Sequence, residues 1–222
     1  IADLATSQVD ALEKPGSAAP PFSPRLRHAA GNAMMAASFL VAAIPNARHF
    51  LRGPADAIWT VGALLMAAMS LVRIAPKAAR LDFHAFISTI FPVFLLPCLL
   101  RADGASSGLL AGTGIGLELL GVALSQVARV YMGRSFGVLP GNRGIVSKGP
   151  FQFVRHPIYV GWFLLTLGYL ASYPSRMNCL ITLATLPFMM WRIELEEGLL
   201  EADSDYRKYR RLVPFRLFPG VY

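Results

Sequence analysis

The sequence predicts an all-α polytopic integral membrane protein, with four spans followed by a C-terminal helical hairpin. Three observations carry that expectation. Hydrophobic residues make up 55% of the 222 and charged residues only 15%, against roughly 25% charged in soluble domains. The mean hydropathy is +0.48. Apolar stretches of bilayer length recur along the chain, and their middles lack the polar face that a soluble core helix would present.

Residues 1–28 read as a flexible or interfacial lead-in. Residues 1–24 are rich in Ala, Pro and Ser and lack the signal-peptide pattern. Within them "IADLATSQVDAL" can place Ile1, Leu4, Ala5, Val9 and Leu12 near one face of a short interfacial helix. The region 29–128 holds the four spans, at about 29–47, 57–72, 83–100 and 106–128. "FISTIFPVFLLPCLL" in the third shows why these are not soluble helices: no polar stripe interrupts it. The hairpin occupies 157–191, as two shorter stretches, 157–173 and 177–191, divided by "SYPSRMN".

The charge of +8 invites a nucleic-acid reading, but its distribution follows the positive-inside bias. With the N-terminus cytoplasmic and the hairpin returning, one side carries 17 of the 21 Lys and Arg residues. The other keeps Arg48, Arg52, Arg101 and Arg176. Both termini are therefore expected at the cytoplasmic face, with no nucleic-acid partner. Cys98 and Cys179 stand in apolar stretches without ligand spacing, so no metal site is expected.

The fourth span contains "GTGIGLELLG". It lacks the third glycine and preceding strand of a dinucleotide fingerprint, so Gly112 and Gly116 are expected to form a small-residue packing face. Glu118 in the same span reads either as a functional group at membrane depth or as a hydrogen-bonded packing residue. Two polar segments flank the hairpin, 131–155 and 192–222. The first ends in Arg155-His156-Pro157, where basic residues and a helix-starting Pro suit a span's end. In the second, Arg192 and Glu196 stand at i, i+4 on one helix face.

Taken in order, "GPFQFVRHPIYVGWF", "RIELEEGLL" and "DYRKYRRLVPFRLFPG" resemble the isoprenylcysteine carboxyl methyltransferase and phospholipid methyltransferase superfamily of membrane enzymes. The resemblance spans residues 129–222 and implies a catalytic region there, with a pocket formed by the pre-hairpin loop and C-terminal segment. It implies S-adenosyl-L-methionine as cofactor. The matching loop positions are Arg143, Gly144, Ile145 and Val146, with Phe151 where many members have Tyr. Arg155, His156, Pro157, Ile158 and Tyr159 match the central cofactor motif, and Glu196 the acidic cofactor contact. Arg192 matches the acceptor-holding residue, and with Glu197 it is a catalytic candidate. Gly161 is expected to permit close helix approach, with Tyr206 and Tyr209 in support.

The chemistry suits these types. A carboxylate can pair with the cofactor's ammonium, and a guanidinium fork can orient an acceptor carboxylate. The expected partners are membrane lipid and a lipophilic or lipidated acceptor. Carboxyl O-methylation, in a bacterial inner membrane, leads over phosphatidylethanolamine N-methylation, in which Glu197 or a water would act as base. A sterol-reductase-like NADPH enzyme and a non-enzymatic membrane protein are the further alternatives.

Overall fold

The computed structural model describes residues 24–47, 54–76, 78–79, 82–92, 99–101, 103–137 and 140–221. The chain is mostly helical. In order it forms α1 (Pro24–Ala47), α2 (Pro54–Leu71), β1 (Ala78–Ala79), α3 (Phe83–Ile90), α4 (Gly108–Met132), β2 (Gly141–Asn142), α5 (Pro157–Ser172), α6 (Arg176–Leu200) and α7 (Ser204–Leu212). The expected interfacial helix in 1–12, residues 93–98 of the third apolar stretch with Cys98, and Arg48 and Arg52 lie outside the described residues.

Local chemistry sets several boundaries. Asp82 Oδ1 accepts from the Ala85 N–H at 2.8 Å to open α3, and Ser175 Oγ accepts from the Asn178 N–H at 3.1 Å to open α6. Pro157 occupies the first turn of α5, where its missing N–H costs nothing. α6 continues nine residues beyond the expected 191, because Glu, Leu and Arg sustain a helix after the apolar run ends. Gly141–Asn142 pairs antiparallel with Ala78–Ala79, a two-residue ladder that apolar periodicity did not foretell.

Among the described residues, one helical stretch, Gly108–Ser135, is both long and apolar enough to cross a membrane, and Thr60–Leu71 and Pro157–Ser172 are shorter apolar helices. Large apolar side chains point outward along the helices, among them Met34, Val41, Leu64, Leu119, Val130 and Leu183. Exposed apolar side chains in this number suit lipid rather than water.

The packing corrects two expectations. α5 lies chiefly along α4 rather than against α6, its partner in the expected hairpin. The small-residue seam that joins α4 to α5 does not use Gly112 and Gly116, whose absent side chains face open space. Gly114 and Gly121 of α4 oppose Gly168 and Gly161 of α5 in antiparallel register. A Cβ on Gly168 would stand 2.6 Å from the Gly114 carbonyl, and one on Gly161 2.6 Å from that of Gly121. Backbones this close cannot yield to a methyl group. Glu118 lies in the same seam, wholly buried, and accepts a 2.8 Å hydrogen bond from Ser172 Oγ. It has the packing surroundings of the second alternative.

The two ends of the bundle differ. At one, Arg101 and Ser106 meet the end of α5 and the α5–α6 turn: Asn178 Nδ2 donates to the Arg101 and Tyr173 carbonyls at 2.8 and 2.9 Å, and the Ser106 N–H to the Ser172 carbonyl at 2.9 Å. At the other, the segment after α2 meets the Gly-rich loop, with the Ile74 N–H donating to the Arg134 carbonyl at 2.8 Å. Arg73, Arg134, Arg143, Arg155 and Arg216 gather at this second end, where Arg73 Nε donates to Asn32 Oδ1 at 2.5 Å and Arg134 Nε to the Val72 carbonyl at 3.1 Å.

Candidate active site

Residues 213–216 run directly over the start of α5. The N–H groups of Arg155 and His156 donate to the Phe215 and Arg216 carbonyls at 2.9 and 3.0 Å. The Arg155 side chain completes the strap: Nη1 donates to the Val213 and Pro214 carbonyls, and Nε to Glu197 Oε1 at 2.7 Å. His156 Nε2 lies 3.1 Å from the same oxygen, and Arg216 Nε donates to Oε2 at 2.9 Å. Glu197 is the hub of this arrangement, its side chain 4% exposed. Burial alone would raise its carboxyl, but hydrogen bonds from His156 and Arg155 and their charges hold it well below the usual range. Such a carboxylate has little capacity to accept another proton.

A second network lies beside the first. Tyr159, in the first turn of α5, donates its hydroxyl proton to Glu196 Oε2 at 2.8 Å and accepts from Arg192 Nε at 2.7 Å. Arg192 also donates Nη1 to Thr89 Oγ1, and its guanidinium carbon stands 5.8 Å from the Tyr159 ring centroid. The i, i+4 relation of Arg192 and Glu196 is thus bridged by a tyrosine from another helix. Arg192 is 4% exposed, far from the surface ion pair that the spacing alone would also allow.

The Gly-rich loop is shaped from within and below. The Gly144 N–H donates to Asn142 Oδ1 at 2.9 Å, and Asn142 Nδ2 to Asp203 Oδ2 at 2.9 Å. Gly144 has φ +103, a conformation that L side chains rarely adopt. Arg143 Nε donates to the Ile74 carbonyl at 3.2 Å, and its guanidinium packs on Gly137. Burial first, then Arg73 nearby, pushes the Arg143 guanidinium down to about 10, with Glu196 opposing. Phe151 packs with Ala128, Tyr206, Tyr209 and Val213, and its carbonyl accepts from the Tyr209 hydroxyl at 2.7 Å. Burial raises both the Tyr206 and Tyr209 phenols, with the Glu197 charge adding to it.

These pieces enclose one cavity of about 240 Å³. Of the residues matched to cofactor binding, Arg143, Gly144, Ile145, Val146, Phe151, Arg155, His156, Ile158, Tyr159 and Glu196 line it, as does Arg192. Pro157 is fully buried behind the wall, and Glu197 stands behind His156 rather than in the lining. The cavity continues between helices to Phe39, Met66, Trp162 and Leu165. Leu165 is eight residues past Pro157, so the apolar part reaches about 12 Å along α5.

Sequence reasoning passed over several lining residues. Phe39 and Met66 carry no signal beyond hydrophobicity. Arg129 lines the cavity and is buried. Its signal was its place, one residue past an apolar stretch, which reads equally as an ordinary basic flank.

Residues 104–203 match the family model described as phospholipid methyltransferase. The match takes in α4, upstream of the motifs, and stops before α7. The chain is 31% identical over 134 residues to the protein-S-isoprenylcysteine O-methyltransferase of Schizosaccharomyces pombe, covering 56% of this chain and 53% of that protein. It is 32% identical over 110 residues to the Xenopus laevis enzyme of the same name, covering 46% and 38%. A methanethiol S-methyltransferase of Crocosphaera subtropica is 36% identical over 73 residues, or 32% and 28% of the two chains. A solved structure of a eukaryotic intramembrane Ras methyltransferase aligns with a TM-score of 0.49 and 21% identity, over 86% of this chain and 75% of that one. The chain spans about half the length, or less, of the curated relatives it matches. Residues 104–203 are thus similar to the phospholipid methyltransferase family, and the curated relatives that the chain resembles carry the names of methyltransferases.

Proposed function

We propose that this protein transfers a methyl group from S-adenosylmethionine to the carboxylate of a lipophilic, isoprenylcysteine-type acceptor. The observation that carries the reading is the cavity itself. Loop 143–146, the start of α5 and the end of α6 converge on one space whose other side is apolar and lies between helices. Such a space suits a water-soluble cofactor meeting a lipid-borne acceptor.

The residues present fit the cofactor. The N–H groups of Ile145 and Val146 make no backbone hydrogen bond among the described residues, leaving donors for a polar ligand beside the apolar Phe151 ring. Glu196, partly exposed to the cavity, offers a carboxylate to an ammonium. When bound, S-adenosylmethionine supplies a methyl group on an electrophilic sulfonium. The chain's own task is then alignment, because a displacement at carbon depends on placing acceptor and methyl in line. Tyr159 fixes both Arg192 and Glu196, so acceptor-side and cofactor-side residues share one anchor.

Carboxylate chemistry is favoured over amine chemistry by Glu197. A carboxylic acid of pKa about 4 is ionised at neutral pH and needs no base. An amine acceptor needs one, and Glu197, engaged by Arg155, His156 and Arg216, is a poor base. We assign it to positioning the strap rather than to proton transfer. The description of the matched family favours phospholipid N-methylation as the second reading.

The bundle end that gathers Arg73, Arg134, Arg143, Arg155 and Arg216 is proposed to face the cytoplasm, with α1, α2, α4, α5 and the apolar part of α6 up to residue 191 in the bilayer and Arg192 to Glu197 beyond it, in keeping with the positive-inside bias. Calorimetry on the purified chain tests the cofactor class: S-adenosylhomocysteine should bind and NADPH should not. The reverse result would return the reductase-like alternative.

A further inference from the structure

We propose that Arg129 binds the anionic headgroup of the amphiphilic acceptor, as a carboxylate site separate from Arg192. This rests on the methyl-transfer reading for the identity of the amphiphile and on the structure for the site. The described residues include four buried arginines: Arg129, Arg143, Arg155 and Arg192. Three have their guanidinium groups engaged. Arg143 donates to the Ile74 carbonyl, Arg155 to Glu197 and two carbonyls, and Arg192 to Tyr159 and Thr89. The Arg129 guanidinium has neither a hydrogen bond nor an ion pair among the described residues, and its Nε is completely shut from solvent. It is 8% exposed and lines the cavity. A cation removed from water without a hydrogen-bond or ionic partner is unfavourable, and an anion arriving in the cavity would relieve it.

The position says which anion. Arg129 packs its guanidinium carbon 5.6 Å from the centroid of the Phe136 ring. Phe136 belongs to the cluster with Ala36, Phe39 and Ala67, against which Met66 and Ile158 also pack. The residue therefore stands where the polar cavity passes into its apolar part. A ligand that meets Arg129 and continues past Phe136 needs a negative head on a long apolar body. The proposed cofactor contacts, loop 143–146 and Glu196, belong to the polar part. Arg192, already engaged by Tyr159 and Thr89, is then a residue that orients Tyr159 as much as one that grips acceptor.

The test compares two synthetic ligands, N-acetyl-S-farnesylcysteine and its neutral carboxamide, on the 222-residue chain in lipid nanodiscs. Binding is measured without cofactor, so the result does not depend on turnover. The wild type should prefer the carboxylate by roughly tenfold to a hundredfold, the span of a charge-assisted hydrogen bond. Arg129→Gln should erase that preference while leaving carboxamide affinity unchanged. A merely structural role would weaken both ligands together. Because no hydrogen bond or ion pair among the described residues holds this cation, Arg129→Gln should melt no lower than the wild type. Arg129→Lys, which keeps charge without the fork, should retain part of the preference. A preference that survives Arg129→Gln, or its absence from the wild type, overturns the proposal. So does a variant that binds methylthioadenosine normally but loses S-adenosylhomocysteine, which would assign Arg129 to the cofactor's carboxylate. Failure of the wild type to bind S-adenosylhomocysteine would instead count against the methyl-transfer reading.

Discussion

The Tyr159 hydroxyl donates a 2.8 Å hydrogen bond to Glu196 Oε2 while accepting one from Arg192 Nε at 2.7 Å. One phenol from α5 thereby sets the direction of two functional candidates on α6. Tyr159→Phe removes this link and keeps the ring beside His156, 5.4 Å between centroids. Leaving buried partners unsatisfied costs about 1–3 kcal/mol, so S-adenosylhomocysteine affinity and methyl transfer should both fall by about tenfold or more. Isothermal calorimetry with a parallel turnover assay measures it. A variant that loses neither would mean the link is dispensable.

Separate substitutions on α6 should then divide the two effects. Glu196→Gln keeps shape but removes the charge proposed to face the cofactor's ammonium. A lost charge-assisted bond of about 1.5–3 kcal/mol should weaken S-adenosylhomocysteine by roughly tenfold to a hundredfold. Arg192→Lys cannot reach Tyr159 and Thr89 together as the guanidinium does. Its loss should appear in turnover and acceptor KM, with cofactor binding changed less than in Glu196→Gln. The opposite division would reverse the assignment.

Glu197 should matter more to folding than to chemistry. Glu197→Gln strips the counter-charge from Arg155 and Arg216 in a buried site, and breaking such a set costs about 3–5 kcal/mol. Thermal melting in detergent should show a large fall. The pH dependence has a definite sign. The folded carboxyl titrates below the ordinary glutamate value of 4.5, so the stability it contributes is fully present above that pH. It is lost as pH falls below it toward the folded value. The wild-type melting curve should therefore have an acid limb that is shallower in Glu197→Gln. Equal limbs would remove Glu197 from the account of acid stability.

The α4–α5 seam gives a paired test. Gly168→Ala places a methyl against the Gly114 carbonyl and the Glu118 side chain, and Gly161→Ala against the Gly121 carbonyl. Overpacking of this kind costs about 1–3 kcal/mol. Gly112→Ala and Gly116→Ala meet nothing within 4 Å and should be neutral or stabilising by up to about 1 kcal/mol, from helix propensity. Melting of the four variants side by side checks it, and an inverted ranking would refute the seam.

That seam also shows where the sequence was legible and where it was not. Apolar runs located α1, α2, α4 and α5 to within a few residues, because burial in lipid demands length and apolarity together. Which glycines face a neighbour depends on helix rotation and register. Gly112 and Gly116 have the small-residue spacing, yet Gly114 and Gly121 make the contact. The separated motifs converge on one cavity because Glu197 and the 213–216 strap draw α6 and the C-terminal segment onto α5. Such long-range bonds have no local signature. Arg129 has no local signature for the same reason: that its guanidinium meets no hydrogen-bond or ionic partner among the described residues is a property of the packed state, and its sequence position matches any basic flank.

Incubation of the chain in membranes with S-adenosyl-[methyl-³H]methionine and N-acetyl-S-farnesylcysteine tests the central claim most directly. A methyl ester releases its label as volatile methanol in mild base, whereas an N-methyl group does not. The account expects base-labile label in the prenylcysteine fraction, strongly reduced in Glu196→Gln. Label that stays in base-stable N-methylated phospholipid, with none in methyl ester, would contradict it.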